Sequence, residues 1–371
     1  MNSIDNAREW FLKRVLLPKI FVINNPGFIT GRYFELMGLG HFSRHIFLPE
    51  ALIVDLENRI IKKMGGAGRK MLYGAAKVST WRFCRVMGIP PFAPNKVSSD
   101  SKLLFTFLET MYAKSLKVTV DENNKLMTMI GDDVAVCGEN GEGYFVPVGA
   151  LAGLWSYGYQ DKSLEAVQTK CQGRKDKNCK FLAGPKTSLK NNAVAFGDFS
   201  EFKKGNNYEF FNKVTNLGKP SLEDMVNKYF FKYRGGVLEI WGERFFPFEI
   251  GYLYMLESEI RKNNCEDILF DASYSFHKRL IDKGTDKDAL SFMVSFLKAI
   301  GWGKLTALKG KKSKVIVEHF PWTSIYGKSE SFPIFAGAVS AFLSKEQGRE
   351  LRLSISEKSL VDHLVVTFEE L

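Results

Sequence analysis

The chain repeats itself at a long period, and such a repeat dictates the order of its elements twice over. Phe34-Glu35-Leu36-Met37-Gly38 matches Leu238-Glu239-Ile240-Trp241-Gly242 at an offset of 204, and Leu56-Glu57-Asn58-Arg59-Ile60 matches Leu256-Glu257-Ser258-Glu259-Ile260 at 200. Met71-Leu72-Tyr73 answers Ile268-Leu269-Phe270 at 197, a register that also brings Arg82 onto Arg279, and Pro147 to Ala150 matches Pro333 to Ala336 at 186. The offsets fall steadily, as they do when the first copy carries the longer connections. We read a tandem duplication: a basic N-terminal extension over 1–23, a first copy over 24–184, a connection over 185–221 and a second copy over 222–371.

Both copies show one order of elements. A short strand (Tyr33 to Met37; Val237 to Trp241) is followed by a helix with Leu52, Ile53, Leu56 and Ile60 at helical spacing, stopped by Gly65 and Gly66. A second helix begins near Arg69, with its counterpart over Glu266 to Leu280, and a third covers Lys102 to Ala113 and Lys287 to Ile300. Strand pairs come next, Leu116 to Val120 with Leu126 to Ile130 and Leu305 to Leu308 with Lys314 to Glu318. A Gly/Ala-rich helix (Val148 to Tyr157; Ile334 to Ser344) and two last strands close each copy. Helices grouped ahead of antiparallel strands make the fold α+β, an antiparallel sheet with helices on one face. The two copies are expected to pack on each other as an intramolecular pseudo-dimer. In the connection, Ser221-Leu222-Glu223-Asp224 reads as a capped helix start.

Composition removes several classes. With 371 residues, 45% hydrophobic and 25% charged, the chain is neither disordered nor fibrous, and its length suits two domains. Mean hydropathy is −0.14, and no apolar run approaches the ~20 residues of a membrane-spanning helix. Five cysteines, Cys84, Cys137, Cys171, Cys179 and Cys265, are too few and too scattered for a disulfide framework, so a reducing, cytoplasmic setting is expected. Arg8, Glu9, Lys13 and Arg14 interrupt the opening residues, which argues against a secretory signal and for a chain beginning here.

The net charge of +11 sits in the first half: 27 Lys+Arg against 17 Asp+Glu up to Lys190, but 25 against 24 afterwards. A basic half attracts polyanions, yet no recognition helix, zinc finger or RNA-binding aromatic pattern accompanies it, so nucleic acid is not expected as a partner. Trp10 to Leu17, apolar with Arg8, Lys13 and Arg14 interleaved, suits packing on its own domain, docking to a protein, or peripheral contact with anionic lipid.

Chemistry concentrates in the first copy. Cys171 and Cys179 stand at the facing ends of two strands, so one tight turn brings both thiols together, as a soft metal requires. Cys137 and Glu165 are the further ligand types nearby, and zinc is the expected ion. The same cysteines also suit a buried pair without metal, or a thiol made redox-responsive by Arg174, Lys175 and Lys177. Gly149 and Gly153 let their helix lie close to a sheet or to a ligand, and Trp155 and Tyr157 add aromatic surface, which makes these four the candidate binding residues for an apolar small molecule. Gly65 to Lys70 lacks the ending of a phosphate loop and reads as a turn between helices. His41, His45, His277, His319 and His363 form no triad or metalloprotease pattern, so no catalytic residue is assigned.

The segment from Gly143 to Leu154, with Cys171-Gln172-Gly173 and Cys179-Lys180-Phe181 downstream and Met71-Leu72-Tyr73-Gly74 upstream, resembles the four-vinyl reductase domain family. That family is similar to the sensor domains of aromatic-responsive activators and, more distantly, to trafficking subunits of the TRAPP type. The resemblance covers most of the first copy and extends in degenerate form to the second. It implies a ligand-binding module that often dimerises, with an apolar cavity beside the sheet and, in some members, zinc. The family's zinc pattern has Glu where Gln168 stands, and Glu357 and Val365 replace the paired cysteines in the second copy. Three readings follow: a non-catalytic sensor-like binding protein, an interaction scaffold with a protein partner or a second copy, and an enzyme of unrecognised type.

Overall fold

The computed structural model describes residues 20–36, 38–137, 145–189, 214–234, 237–284, 288–308, 312–322, 331–360 and 364–371. Trp10 to Leu17, Gly143, Tyr144, Lys309, Lys311, His363 and much of the 185–221 connection lie outside them. The fold is α+β with three antiparallel sheets. Contacts divide it into two compact units, one holding the described residues of Ile53–Gly205 and the other those of Phe21–Leu52, Asn206–Arg234 and Leu238–Leu371. Among the described residues no helix is long and apolar enough to cross a membrane.

The first unit takes in most of α2 (Glu50–Met64), then α3 (Gly66–Val86) and α4 (Val97–Tyr112), strands β4 (Ser115–Asp121) and β5 (Leu126–Asp132), helix α5 (Phe145–Tyr159), and strands β6 (Leu164–Lys170) and β7 (Cys179–Pro185). Leu52, Ile53, Leu56 and Ile60 of α2 are buried, as their spacing requires. Gly65, at φ 58, ends the helix in the left-handed region open to glycine. The sheet runs β4-β5-β7-β6. Met127, Met129, Phe181 and Ala183 point inward while Thr128, Ile130 and Leu182 between them stay half-buried, the alternation of a sheet covered on one face.

Helix α5 is apolar all round and lies against α3 at backbone distance. A Cβ on Gly149 would fall 2.3 Å from the Tyr73 carbonyl oxygen, and one on Gly153 would fall 2.2 Å from that of Lys77. The buried Glu57 carboxylate accepts the first N–H groups of α5, from Val146 at 2.7 Å and Phe145 at 3.2 Å, which satisfies donors that every helix start leaves open.

The second unit opens with β1 (Phe21–Val22), β2 (Ile29–Gly31), a helical turn α1 (Tyr33–Leu36) and β3 (Ser43–Pro49). It continues through α6 (Leu222–Asn227), β8 (Lys232–Arg234), β9 (Val237–Ile240), β10 (Glu243–Glu249), α7 (Ile250–Lys262), α8 (Glu266–Gly284), α9 (Ala289–Ala299), β11 (Lys304–Leu308), β12 (Lys314–Glu318), α10 (Pro333–Gln347), β13 (Leu353–Leu360) and β14 (Leu364–Glu370). Ser221 and Asp224 form the expected reciprocal cap of α6. One sheet runs β11-β12-β14-β13 and the other β1-β2-β3-β10-β9-β8.

The repeat is visible in these contacts. Glu257, the mate of Glu57, accepts the N–H of Ile334 at the start of α10, and Gly337 lies over the Phe270 carbonyl as Gly149 lies over that of Tyr73. Val146 thus answers Ile334 and Gly149 answers Gly337, an offset of 188, which corrects the 186 read from the proline-containing run. Strands β3 and β10, themselves mates, pair antiparallel with Phe47 opposite Pro247. Those two residues are each other's counterparts at offset 200, so a local two-fold passes between them. About it, Arg244 reaches Glu50 at 3.4 Å, whereas the mate of Glu50 is Ile250, and Arg44 meets no carboxylate among the described residues. Arg44 is instead fully buried, with Cζ 4.2 Å from the Phe28 ring centre and Nη2 donating to the carbonyls of Gly301 at 3.1 Å and Gly27 at 3.4 Å.

One expected strand is a helix: the described part of Tyr33 to Met37 is the turn α1. The strand that follows it, β3, is buried at every position and so lacks the period-two alternation that marks a one-sided strand.

Candidate metal centre

Three cysteines from separate stretches of the first unit meet at one end of its sheet. Cys179 opens β7 opposite Gly131 of β5. After β5 the chain turns sharply, with Val136 at φ 70 and the Cys137 N–H donating to the Val134 carbonyl at 3.0 Å, so that Cys137 is carried back over the strand ends. Cys171 follows β6 and starts a single 3-10 turn over Gln172–Arg174. Its carbonyl accepts from the N–H of Arg174 at 3.0 Å and of Asp176 at 3.1 Å, its own N–H donates to the Asp176 carboxylate at 2.8 Å, and Lys175 takes the left-handed conformation that closes the loop.

The three Sγ atoms lie within 4.8 Å of one another, and all three residues are fully buried. All are free thiols. Contact with the Cys137 and Cys179 thiols, with the N–H groups of Gly173 and Arg174 beside them, lowers the Cys171 pKa, and the Cys171 Sγ also lies 3.8 Å from the Cys137 carbonyl oxygen. Cys137 is pushed well above the ordinary thiol range by donating to Cys171 and Cys179 and by burial. Cys179 accepts from Cys137, which lowers it, but donates to Cys171 and is buried, and its pKa stands at about 11. Thiols this close perturb one another's ionisation, and a metal ion binding there would displace their protons.

Amides reach these sulfurs from two sides. The Gln168 side chain donates to Cys137 Sγ at 3.4 Å, and the Gln172 main-chain N–H donates to Cys179 Sγ at the same distance. The Gln172 side chain is itself fixed, accepting from the Asp133 N–H at 2.7 Å and donating to Asp132 at 3.0 Å.

Glu165 is not brought to the cluster. It is buried near the start of β6, where Oε2 accepts from the Tyr73 hydroxyl at 2.5 Å and pairs with Lys77 Nζ at 2.9 Å. Lys77 also donates to the carbonyls of Leu164 at 2.7 Å and Lys162 at 3.1 Å, and Tyr73 accepts from the Ala166 N–H at 3.0 Å. Burial lowers the Lys77 pKa against the opposing pull of Glu165, and it raises that of Tyr73, as does the neighbouring carboxylate. The network fastens α3 to β6.

Gly149, Gly153, Trp155 and Tyr157 serve packing within the unit. The two glycines admit the α3 backbone; Trp155 is fully buried and donates its indole N–H to the Lys125 carbonyl at 2.8 Å, and Tyr157 donates to the Ile89 carbonyl at 2.6 Å. Edge-on contacts join Trp155 to Phe92 and Tyr159, and Tyr157 to Trp81. Glu57 and the Tyr73–Lys77 pair are functional to the fold and went unread in the sequence; the recurrence of Glu57 as Glu257 in the repeat is the trace that marks the first of them.

Neither a family model nor a curated protein matches the chain. Among solved structures, the phenol-responsive sensory domain of the transcription activator PoxR, determined with phenol, is similar at a TM-score of 0.35 and 13% identity, over 52% of this chain and 95% of that one.

Proposed function

We propose that the first repeat is a non-catalytic, sensor-like binding module of the four-vinyl reductase type, built round a soft metal ion held by Cys137, Cys171 and Cys179 and responsive to a small apolar molecule. The observation that carries this reading is the convergence of three buried thiols from separate stretches of chain. Three sulfurs fit three of the four positions that zinc takes in a closed site. A bound ion would tie the β5–α5 connection to the β6–β7 loop, so that a ligand felt at one is felt at the other. Five free thiols suit a reducing, cytoplasmic setting.

The test is elemental analysis and native mass spectrometry of the full chain purified under reducing conditions, beside Cys171→Ser. One metal ion per chain, lost in the variant, with an apolar adduct retained at low collision energy, is the expected result; a metal-free, adduct-free protein overturns the reading.

A second reading, an interaction scaffold, is favoured by one observation in the second unit. Tyr229 and Phe230 are 94% and 46% exposed on a turn whose backbone is held by N–H donation to Val226 and Met225. Here self-association in sedimentation velocity is expected, and its loss in Tyr229→Ser with Phe230→Ser; a monomer at every concentration removes it.

A further inference from the structure

The cluster disagrees with zinc in one respect, and the disagreement is informative. A closed zinc site is tetrahedral with four ligands, and among the described residues no fourth His, Cys, Asp or Glu joins the three sulfurs. Three described carboxylates of this region are held by other partners: Glu165 by Tyr73 and Lys77, Asp176 by the Cys171 N–H, Asp132 by Gln172. What reaches the sulfurs is N–H, from Gln168 and from the Gln172 backbone, together with two neutral oxygens, the Cys137 carbonyl 3.8 Å from Cys171 Sγ and Gln172 Oε1 3.9 Å from Cys179 Sγ, neither of them among the sulfur, imidazole and carboxylate donors that zinc sites use. A donor hydrogen stabilises a sulfur but cannot ligate a metal.

Charge points the same way. Three thiolates carry three negative charges, and the three residues are fully buried. A monovalent ion leaves the site at minus two, a divalent ion at minus one and a trivalent ion neutral. Net charge kept out of water costs several kcal/mol, and the cations of the loop, Arg174, Lys175 and Lys177, are exposed, where solvent screens them.

We propose that this centre selects a trivalent, three-coordinate thiophilic ion, with arsenite as the probe; the proposal rests on reading the cluster as a metal-holding site. Arsenic(III) in neutral water is As(OH)3, an uncharged molecule. At each cysteine an S–H and an As–O bond break, an As–S bond forms, and the proton leaves with the hydroxide as water. Three such exchanges release three waters without change of oxidation state and leave a neutral product. The lone pair on arsenic fills the fourth direction, so three protein ligands are the complete set.

The reduced full-length chain is to be titrated with arsenite, with zinc, and with both in competition, read by intact mass and by X-ray absorption at the bound element. A one-to-one arsenic adduct with three sulfurs and no oxygen is expected. Serine at 137, 171 or 179 is expected to weaken it by more than the ~100-fold that bounds an outer-shell change, whereas Cys84→Ser and Cys265→Ser leave it unchanged. Gln168→Glu, which places a carboxylate beside Cys137, is expected to shift the competition toward zinc by about tenfold or more. Capture by only two thiols, seen as one of the three serine variants binding within a few-fold of the parent, overturns the proposal, as does retained oxygen. Tight tetrahedral zinc with no arsenite binding removes this inference and leaves the metal reading standing; failure of both ions removes both.

Discussion

Glu57 keeps its proton up to about pH 8, because burial penalises the carboxylate more than the N–H groups of Val146 and Phe145 favour it. An unfolded glutamate ionises near 4.5. Between about 4.5 and about 8 the folded chain therefore holds a proton that the unfolded chain has released, and stability falls as pH rises, by up to about 1.4 kcal/mol per pH unit. His45 and His277 act in the opposite sense. Folded, they stay neutral down to about 3 and about 4, while unfolded histidine protonates near 6.5, so their contribution is complete above 6.5 and drains away as pH falls. Below 6.5 two histidines outweigh one glutamate; above it the glutamate acts alone. From these three groups we expect the urea midpoint to peak near pH 6.5 and to decline toward 8. In Glu57→Gln, which keeps one acceptor for the helix start, the decline is expected to flatten, and an unchanged slope between pH 6.5 and 8 would show that Glu57 does not titrate there.

At the scale of elements, the α3–α5 contact is the feature most exposed to single substitutions. Gly149→Ala and Gly153→Ala each drive a methyl group onto a main-chain oxygen that belongs to a helix and cannot turn aside, so each is expected to lose about 1–3 kcal/mol or more in urea unfolding. The Tyr73–Glu165–Lys77 network makes a different prediction. Lys77→Met strands Glu165 without its cation and is expected to cost roughly 3–5 kcal/mol, while adding Glu165→Gln returns part of that loss; a double variant as unstable as the single one would contradict the pairing. The amphipathic helices and the one-sided sheets were legible in the sequence because their apolar residues recur at 3.6 or 2, while α5 and α10, buried nearly all round, were legible only as Gly/Ala-rich runs. Strand β3 was not, since burial on both faces erases the alternation that marks a one-sided strand, and Arg44 and His45 interrupt its apolar run. At the candidate centre Cys171 and Cys179 could be paired from their places at strand ends and Cys137 added as a ligand type nearby, whereas Glu165 could not be separated from them: its partners lie on a helix some ninety residues earlier, and spacing within the strand says nothing of them.

At the scale of the whole molecule, the two repeats have diverged in what they can hold: the three clustered sulfurs belong to the first, and the second has no cysteine after Cys265, so none in its last four strands. A metal that binds only the folded first unit stabilises that unit alone, by about 2.7 kcal/mol at a hundredfold excess over its dissociation constant. Calorimetry with and without the ion is expected to move the first unit's unfolding and to leave the remainder of the heat uptake in place. The strand pair β3–β10 carries the other sign of divergence. In a symmetric pair of separate chains a single mutation is inherited by both sides of the axis, so losing one Glu50 would lose its twin. Joined in one polypeptide, the halves are copied separately. Arg244 reaches Glu50, while Arg44, whose matching partner position is Ile250, lies on a phenyl ring and donates to two carbonyls, so in one polypeptide the two sides of a single axis carry different contacts and can be substituted one at a time.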